Sequence, residues 1–132
     1  MAAPTELLDT VPLFSGLKPR ERAQIAQSMK GRTLDSGQVL AVEGEKGVGF
    51  FVIQSGNARV SIGGEEVRTL GPGDYFGEIA LISQSNRSAT VTAETPLQVW
   101  GLTSWEFRPI VEQNATVAWS LLEALAKMIS ER

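Results

Sequence analysis

The chain has no cysteine and no histidine among its 132 residues. Without cysteine, disulfides, zinc knuckles, iron–sulfur clusters and thiol nucleophiles are excluded. Without histidine, the commonest general base and the commonest transition-metal ligand are gone. A serine–histidine–acid triad cannot be assembled, so an enzyme would have only carboxylates to work with. Runs of lysine or arginine are also lacking, and the net charge is −3. A phosphate-backbone surface needs several clustered cations, so nucleic acid is not an expected partner of this chain. No apolar run approaches the roughly 20 residues that span a bilayer, and the first residues lack the basic and apolar regions of a signal peptide. A cytoplasmic protein with no membrane contact of its own is the expectation.

What is present reads as one domain over 1–132, large enough to bury a core without staples. Hydrophobic residues make up 42% and charged residues 20% of the chain, ordinary values for a globular protein. Residues 1–31 read as helical: a short helix, a turn at Pro12 and Gly16, then a helix opened by Pro19 and ended by Gly31 at C′. Ile25 and Met29, four apart, share one face of that helix.

From 32 to 102 the pattern changes to short β-branched or aromatic runs separated by glycines. The runs are 39–42, 50–53, 58–62, 67–70, 88–93 and 97–102. Gly63-Gly64 supplies the positive φ angles of a primed hairpin turn. About eight short strands at this spacing predict a sandwich or jelly-roll barrel. Helices return over 103–132. Thr103 and Glu106 form a capping box for a helix to about Gln113, which Pro109 should kink or end. Asn114 should cap a last helix through Arg132. In that helix Val117, Leu121, Leu122, Leu125, Met128 and Ile129 share an apolar arc of roughly 140°, wider than the about 100° a surface helix needs. Packing against the barrel, covering a ligand, or meeting a second subunit would each explain it. Trp100 and Trp105 are expected in the core, and Trp119 in the core, at an interface or stacked on a base.

The stretch FGEIALISQSNRSATV, 76–91, sits between strands and holds one acid, Glu78, and one lone base, Arg87. A turn of helix over 77–81 would point unsatisfied N–H groups outward as an anion site. Gly77, without a Cβ, lets a ligand approach the backbone. Arg87 adds a planar fork suited to two oxygens of one phosphate. One arginine with helix-end amides matches a single negative charge, that of a cyclic phosphodiester. A triphosphate loop of the Gly-x-x-x-x-Gly-Lys-Ser/Thr type is missing, as is Gly-x-Gly-x-x-Gly. Glu78, repelled by phosphate, can instead accept a hydrogen bond from a ribose 2′-OH.

FGEIAL followed by RSATV resembles the phosphate-binding cassette of cyclic nucleotide-binding domains, and every fixed position from Phe76 to Val91 matches. VPLFSGL, GEKGVGFFVIQSGNARV and LGPGDYFGE resemble the family's N-terminal turn, its third and fourth strands and the approach to the cassette. The resemblance implies a mainly β fold with flanking helices: an eight-stranded jelly-roll (double-stranded β-helix) barrel, an N-terminal helical bundle and C-terminal helices. It implies a ligand set of Phe76, Gly77, Glu78, Ile79, Ala80, Arg87, Ser88 and Ala89. Arg87 would hold the phosphate oxygens, Glu78 the 2′-OH, and the amides of 77–80 would cradle the diester. Ser88, beside the arginine, implies cAMP over cGMP. No cofactor or metal is implied beyond that ligand.

A module of this kind acts by population shift, and the element nominated to move is 103–132. A homodimer or an effector domain would meet the C-terminal helix. The rival reading is a ligand-free jelly-roll interaction or dimerisation module. A barrel phosphodiesterase or isomerase is the weakest reading, because it lacks a histidine base.

Overall fold

Gly63 and Gly64 have φ of 60° and 85°, the pair of positive values that a two-residue primed turn requires. They join β4 (Ala58–Ile62) to β5 (Glu65–Leu70) as an antiparallel hairpin. The computed structural model describes residues 3–83 and 85–131. Gln84 of the cassette and Arg132 of the expected last helix lie outside the described residues, as do Met1 and Ala2.

Six further strands complete the barrel: β1 (Lys30–Leu34), β2 (Val39–Ala41), β3 (Gly49–Ser55), β6 (Tyr75–Phe76), β7 (Thr90–Ala93) and β8 (Leu97–Thr103). They form two four-stranded antiparallel sheets, β1-β8-β3-β6 and β2-β7-β4-β5. The jelly roll is as expected. Alternation of side chains along a strand explains how β3 and β8 are buried on both faces. Phe50, Val52, Trp100 and Leu102 point to the helices, whereas Ile53, Leu97 and Val99 point between the sheets.

The helical layer differs from expectation in its details. Two 3-10 turns, Thr5–Leu8 and Pro12–Phe14, precede α1 (Pro19–Ser28). Gly31 does not cap α1. The chain is already extended at Met29 (φ −78°, ψ 149°), and Gly31 lies in β1 opposite Trp100. A Cβ there would come within 3.3 Å of the Trp100 ring. α2 (Ser104–Glu112) starts at the predicted Thr103–Glu106 capping box and runs through Pro109. Proline removes only one N–H from the ladder, while Phe107 and Ile110 bury the helix's inner face. α3 (Ala115–Ser130) follows Asn114, whose side chain makes no N-cap bond and donates instead to the Ile110 carbonyl at 2.7 Å.

The expected apolar arc of α3 splits. Val117 and Leu121 are buried, whereas Leu122 and Ile129 are 56% and 65% exposed. Trp100 is buried, with its indole N–H donating to Gln54 at 2.5 Å. Trp105 is 63% exposed and not in the core. No helix among the described residues is long and apolar enough to cross a membrane.

Candidate ligand-binding site

The polar face of the cassette is built on one glycine. Gly77 has φ +84°, a left-handed value that L side chains adopt at a cost of about 1–2 kcal/mol. This turn of the backbone starts the 3-10 turn Glu78–Leu81 directly after β6. A Cβ on Gly77 would lie 2.5 Å from the Gly49 carbonyl and 2.6 Å from Arg87 Nη1. On its other side the arginine meets Gly47, where a Cβ would lie 2.7 Å from Nε. The guanidinium therefore occupies a flat slot between two glycines. Its Nη2 donates to the Gly49 carbonyl at 2.7 Å, and its cation lies 5.8 Å from the Phe76 ring centroid.

The backbone of Arg87 is held equally firmly. Its N–H donates to the Glu45 carbonyl at 2.7 Å, and its carbonyl accepts from Gly44 N–H at 2.8 Å. Gly47 N–H reaches the Ser85 carbonyl at 2.9 Å. The turn between β2 and β3 thus aligns the loop that carries the arginine. Arg87 is partly buried, and burial lowers its pKa from the ordinary value. Among the described residues it has no ion-pair partner, Glu78 included. A cation in this position has lost part of its hydration and gained no carboxylate in return.

All eight residues singled out from the sequence line one cavity of about 590 Å³: Phe76, Gly77, Glu78, Ile79, Ala80, Arg87, Ser88 and Ala89. One detail of the expected cradle changes. The Ala80 N–H is taken by the Gly77 carbonyl at 3.0 Å, so only the opening amides of the turn, at Glu78 and Ile79, lack an acceptor within it. Trp119 does not line the cavity.

Apart from Val91, the end of the cassette, the floor was invisible in the sequence. Ala41, Val91, Val60 and Arg68 pair across β2, β7, β4 and β5 in one continuous row, and all four line the cavity. Arg68, at the outer end of the row, places a second cation on the cavity wall. Tyr75 closes the side. Burial, then the nearby Glu78 carboxylate, raises its pKa and keeps its hydroxyl protonated as a donor. A polar-lined hollow with Arg68 and Arg87 on separate walls and the carboxylates of Glu78 and Asp74, the latter accepting from Gly71 N–H at 2.8 Å, can take an anion and hydrogen-bond a hydroxyl beside it.

Known proteins agree with this arrangement. The family described as "Cyclic nucleotide-binding domain" matches residues 31–114. A cAMP-dependent protein kinase regulatory subunit of Yarrowia lipolytica is 43% identical over 94 residues, covering 70% of this chain and 25% of that protein. A cGMP-dependent protein kinase of Toxoplasma gondii is 40% identical over 89 residues, 67% of this chain and 9% of that protein. This chain thus spans a quarter or less of those two relatives. The N-terminal domain of a transcriptional regulator from Streptomyces coelicolor superposes with a TM-score of 0.89 at 28% identity, covering 95% of this chain and 93% of that one. With the cassette, the two-sheet barrel and a family match over most of its length, the chain belongs to the cyclic nucleotide-binding domain family.

Proposed function

We propose that the chain binds a 3′,5′-cyclic nucleotide in the Glu78–Arg87 cavity and acts as a regulatory sensor, with cAMP favoured over cGMP. The observation that carries this reading is Arg87, an uncompensated cation gripped between Gly47 and Gly77 on the cavity wall. A cyclic phosphodiester brings the single negative charge that this cation lacks. Glu78, on the same wall, accepts the ribose 2′-OH, and the Glu78 and Ile79 amides complete the phosphate cradle. Relatives named for both cAMP and cGMP support the ligand class. Ser88 beside the arginine supports cAMP through the family resemblance.

Arg68 favours a second reading of the base. Guanine presents two acceptors, O6 and N7, on one edge and suits an arginine fork, whereas adenine presents an acceptor and a donor there. The position of Arg68 at the outer end of the floor makes it the candidate for that contact.

The sensor's output runs through the opposite side of the 3-10 turn. Leu81 and Ile82 line an apolar groove together with Trp105, Phe107, Leu121 and Leu122 of α2 and α3. Tightening of the cassette on phosphate would shift these contacts and move the two helices. Trp119 and Ile129, exposed on α3 outside that groove, would then present a changed surface to a second copy or an effector domain.

Parallel calorimetric titration with cAMP and cGMP tests the whole reading. Arg87→Ala should weaken binding by about 2–5 kcal/mol, roughly 30- to several-thousand-fold. Glu78→Ala should cost about 1.5–3 kcal/mol. Arg68→Ala should leave cAMP affinity unchanged if adenine is preferred, and reduce cGMP affinity if guanine is. Unchanged binding in Arg87→Ala would remove the arginine from the site, and no heat with either nucleotide would leave the ligand-free interaction module standing. Equal hydrogen exchange over 103–132 with and without nucleotide would remove the helix movement.

A further inference from the structure

A second cleft, of about 540 Å³, lies across Arg87 from the first cavity. Three consecutive residues of β1, at 30–32, and the run 39–42 at β2 line it. The lining continues inward through Gly101, Leu102 and Thr103 of β8 and Gly49 and Phe51 of β3, so the cleft crosses one end of that sheet and runs out to its β1 side. β1 stands at one end of its sheet and β2 at one end of the other, each paired on one side only. The outer part of the cleft therefore opens onto a seam of the barrel between β1 and β2, where each strand lacks a neighbour on one side. Such edges template the addition of another strand unless they are blocked.

Two more properties of the seam narrow its occupant. Val39 and Val42 are 45% and 40% exposed beside it, too apolar for a purely solvated rim. Its ionisable lining is Lys30, Arg32, Lys46 and Arg87 against Glu45 and Glu106, a local balance of +2 in a chain of net charge −3. Glu106 is already engaged by Lys30. Among the described residues neither Arg32 nor Lys46 takes part in an ion pair.

We propose that this seam docks an extended acidic segment of a partner protein, with carboxylates alternating with β-branched residues. The segment adds as a strand to an edge, places its apolar side chains on Val39 and Val42, and turns its carboxylates to Arg32 and Lys46. A nucleic acid would match the charge, but it has neither a peptide ladder for the edge nor aliphatic side chains for the valines. Arg87 borders both hollows, and with its charge given to a phosphate in the first cavity Lys30, Arg32 and Lys46 still outnumber Glu45 and Glu106 at the seam.

The test uses the full chain and a synthetic hexapeptide of alternating aspartate and valine, followed by hydrogen exchange and titration. Slowed exchange confined to 30–34 and 39–42 is expected. Affinity should fall with added salt, and by about tenfold or more in an Arg32→Glu/Lys46→Glu double variant. Both substituted side chains are exposed, so the melting temperature of the variant should match the parent and exclude misfolding. Absence of protection, equal binding of a lysine–valine hexapeptide, or protection on α3 instead would overturn the proposal. Displacement of the peptide by short oligothymidylate with wider protection would also overturn it, assigning the seam to nucleic acid.

Discussion

The β1-β8-β3-β6 sheet has a core on each face, and the two are filled in different ways. On the helix side Phe14, Phe50 and Phe107 are all but fully buried. Phe14 meets Phe50 edge-on at 5.6 Å and Phe107 at 6.1 Å, geometry that aromatic quadrupoles favour. Between the sheets the buried residues are aliphatic and often small, with Ala41, Ala58 and Ala93 among them. Phe51 and Phe76 remain only partly buried against that core. Bulky rings close one side of the sheet, while small residues leave a ligand-sized hollow on the other. Stability is concentrated on the first face and shape on the second.

Cutting the same kind of group from each face is the sharpest way to break this contrast. Phe14→Ala should destabilise by about 3–5 kcal/mol in urea denaturation while leaving the nucleotide affinity of the folded fraction intact. Val60→Ala, on the cavity floor, should cost only about 1.5 kcal/mol but change the affinity ratio of cAMP to cGMP. Loss of nucleotide affinity in Phe14→Ala to match its loss of stability would show that the two cores are one unit.

The two glycines around Arg87 separate stability from site geometry on a smaller scale. Gly77→Ala meets a left-handed φ, worth about 1–2 kcal/mol, and a backbone carbonyl that cannot step aside. Its melting temperature and its nucleotide affinity should both fall. Gly47→Ala meets only the arginine side chain, so affinity should fall with the melting temperature nearly preserved. Equal thermal loss in the two variants would contradict the slot.

The smallest effect belongs to the helix side. Glu21 is buried and joins α1 to α3, accepting from Lys18 N–H at 2.8 Å and from Thr116 Oγ1 at 3.0 Å. The backbone donor at Lys18 outweighs burial and lowers its pKa below the ordinary 4.5. A carboxyl lowered in the folded state contributes stability that is complete above the unfolded value and is lost as pH falls through the folded one. Denaturation midpoints should therefore drop on acidification below about pH 4.5, with a shallower slope in Glu21→Gln. An identical slope in the variant would place the acid sensitivity elsewhere.

Much of the site was readable before the fold, because the cassette is local. Phe76 to Ala89 spans one connection between strands, so spacing alone placed Glu78 and Arg87 on a common loop. Arg68, Ala41, Val60 and Gly47 were not readable. The first three reach the cavity through strand pairing and Gly47 meets Arg87 from a turn forty residues away, and no local pattern encodes that register. Gly31 was misread for a related reason. A glycine after a helix usually caps it, but here close packing against Trp100 makes use of its missing Cβ within a strand. Trp105 was misread because indole size suggests burial, whereas its position on α2 faces the groove that Leu81 and Ile82 share.

The amino-acid sequence by itself determined the chemistry on offer: no thiol, no imidazole, a primed hairpin, a capping box, and one acid and one base nine residues apart. These depend on residue type and short spacing, which the chain carries wherever it folds. Only tertiary structure decided that the arginine would lie between two glycines without a carboxylate, that a row across four strands would floor the cavity, and that the barrel would stay open along β1 and β2. Those features arise where distant segments meet, and their energies depend on burial and register that exist only once the sheets have packed.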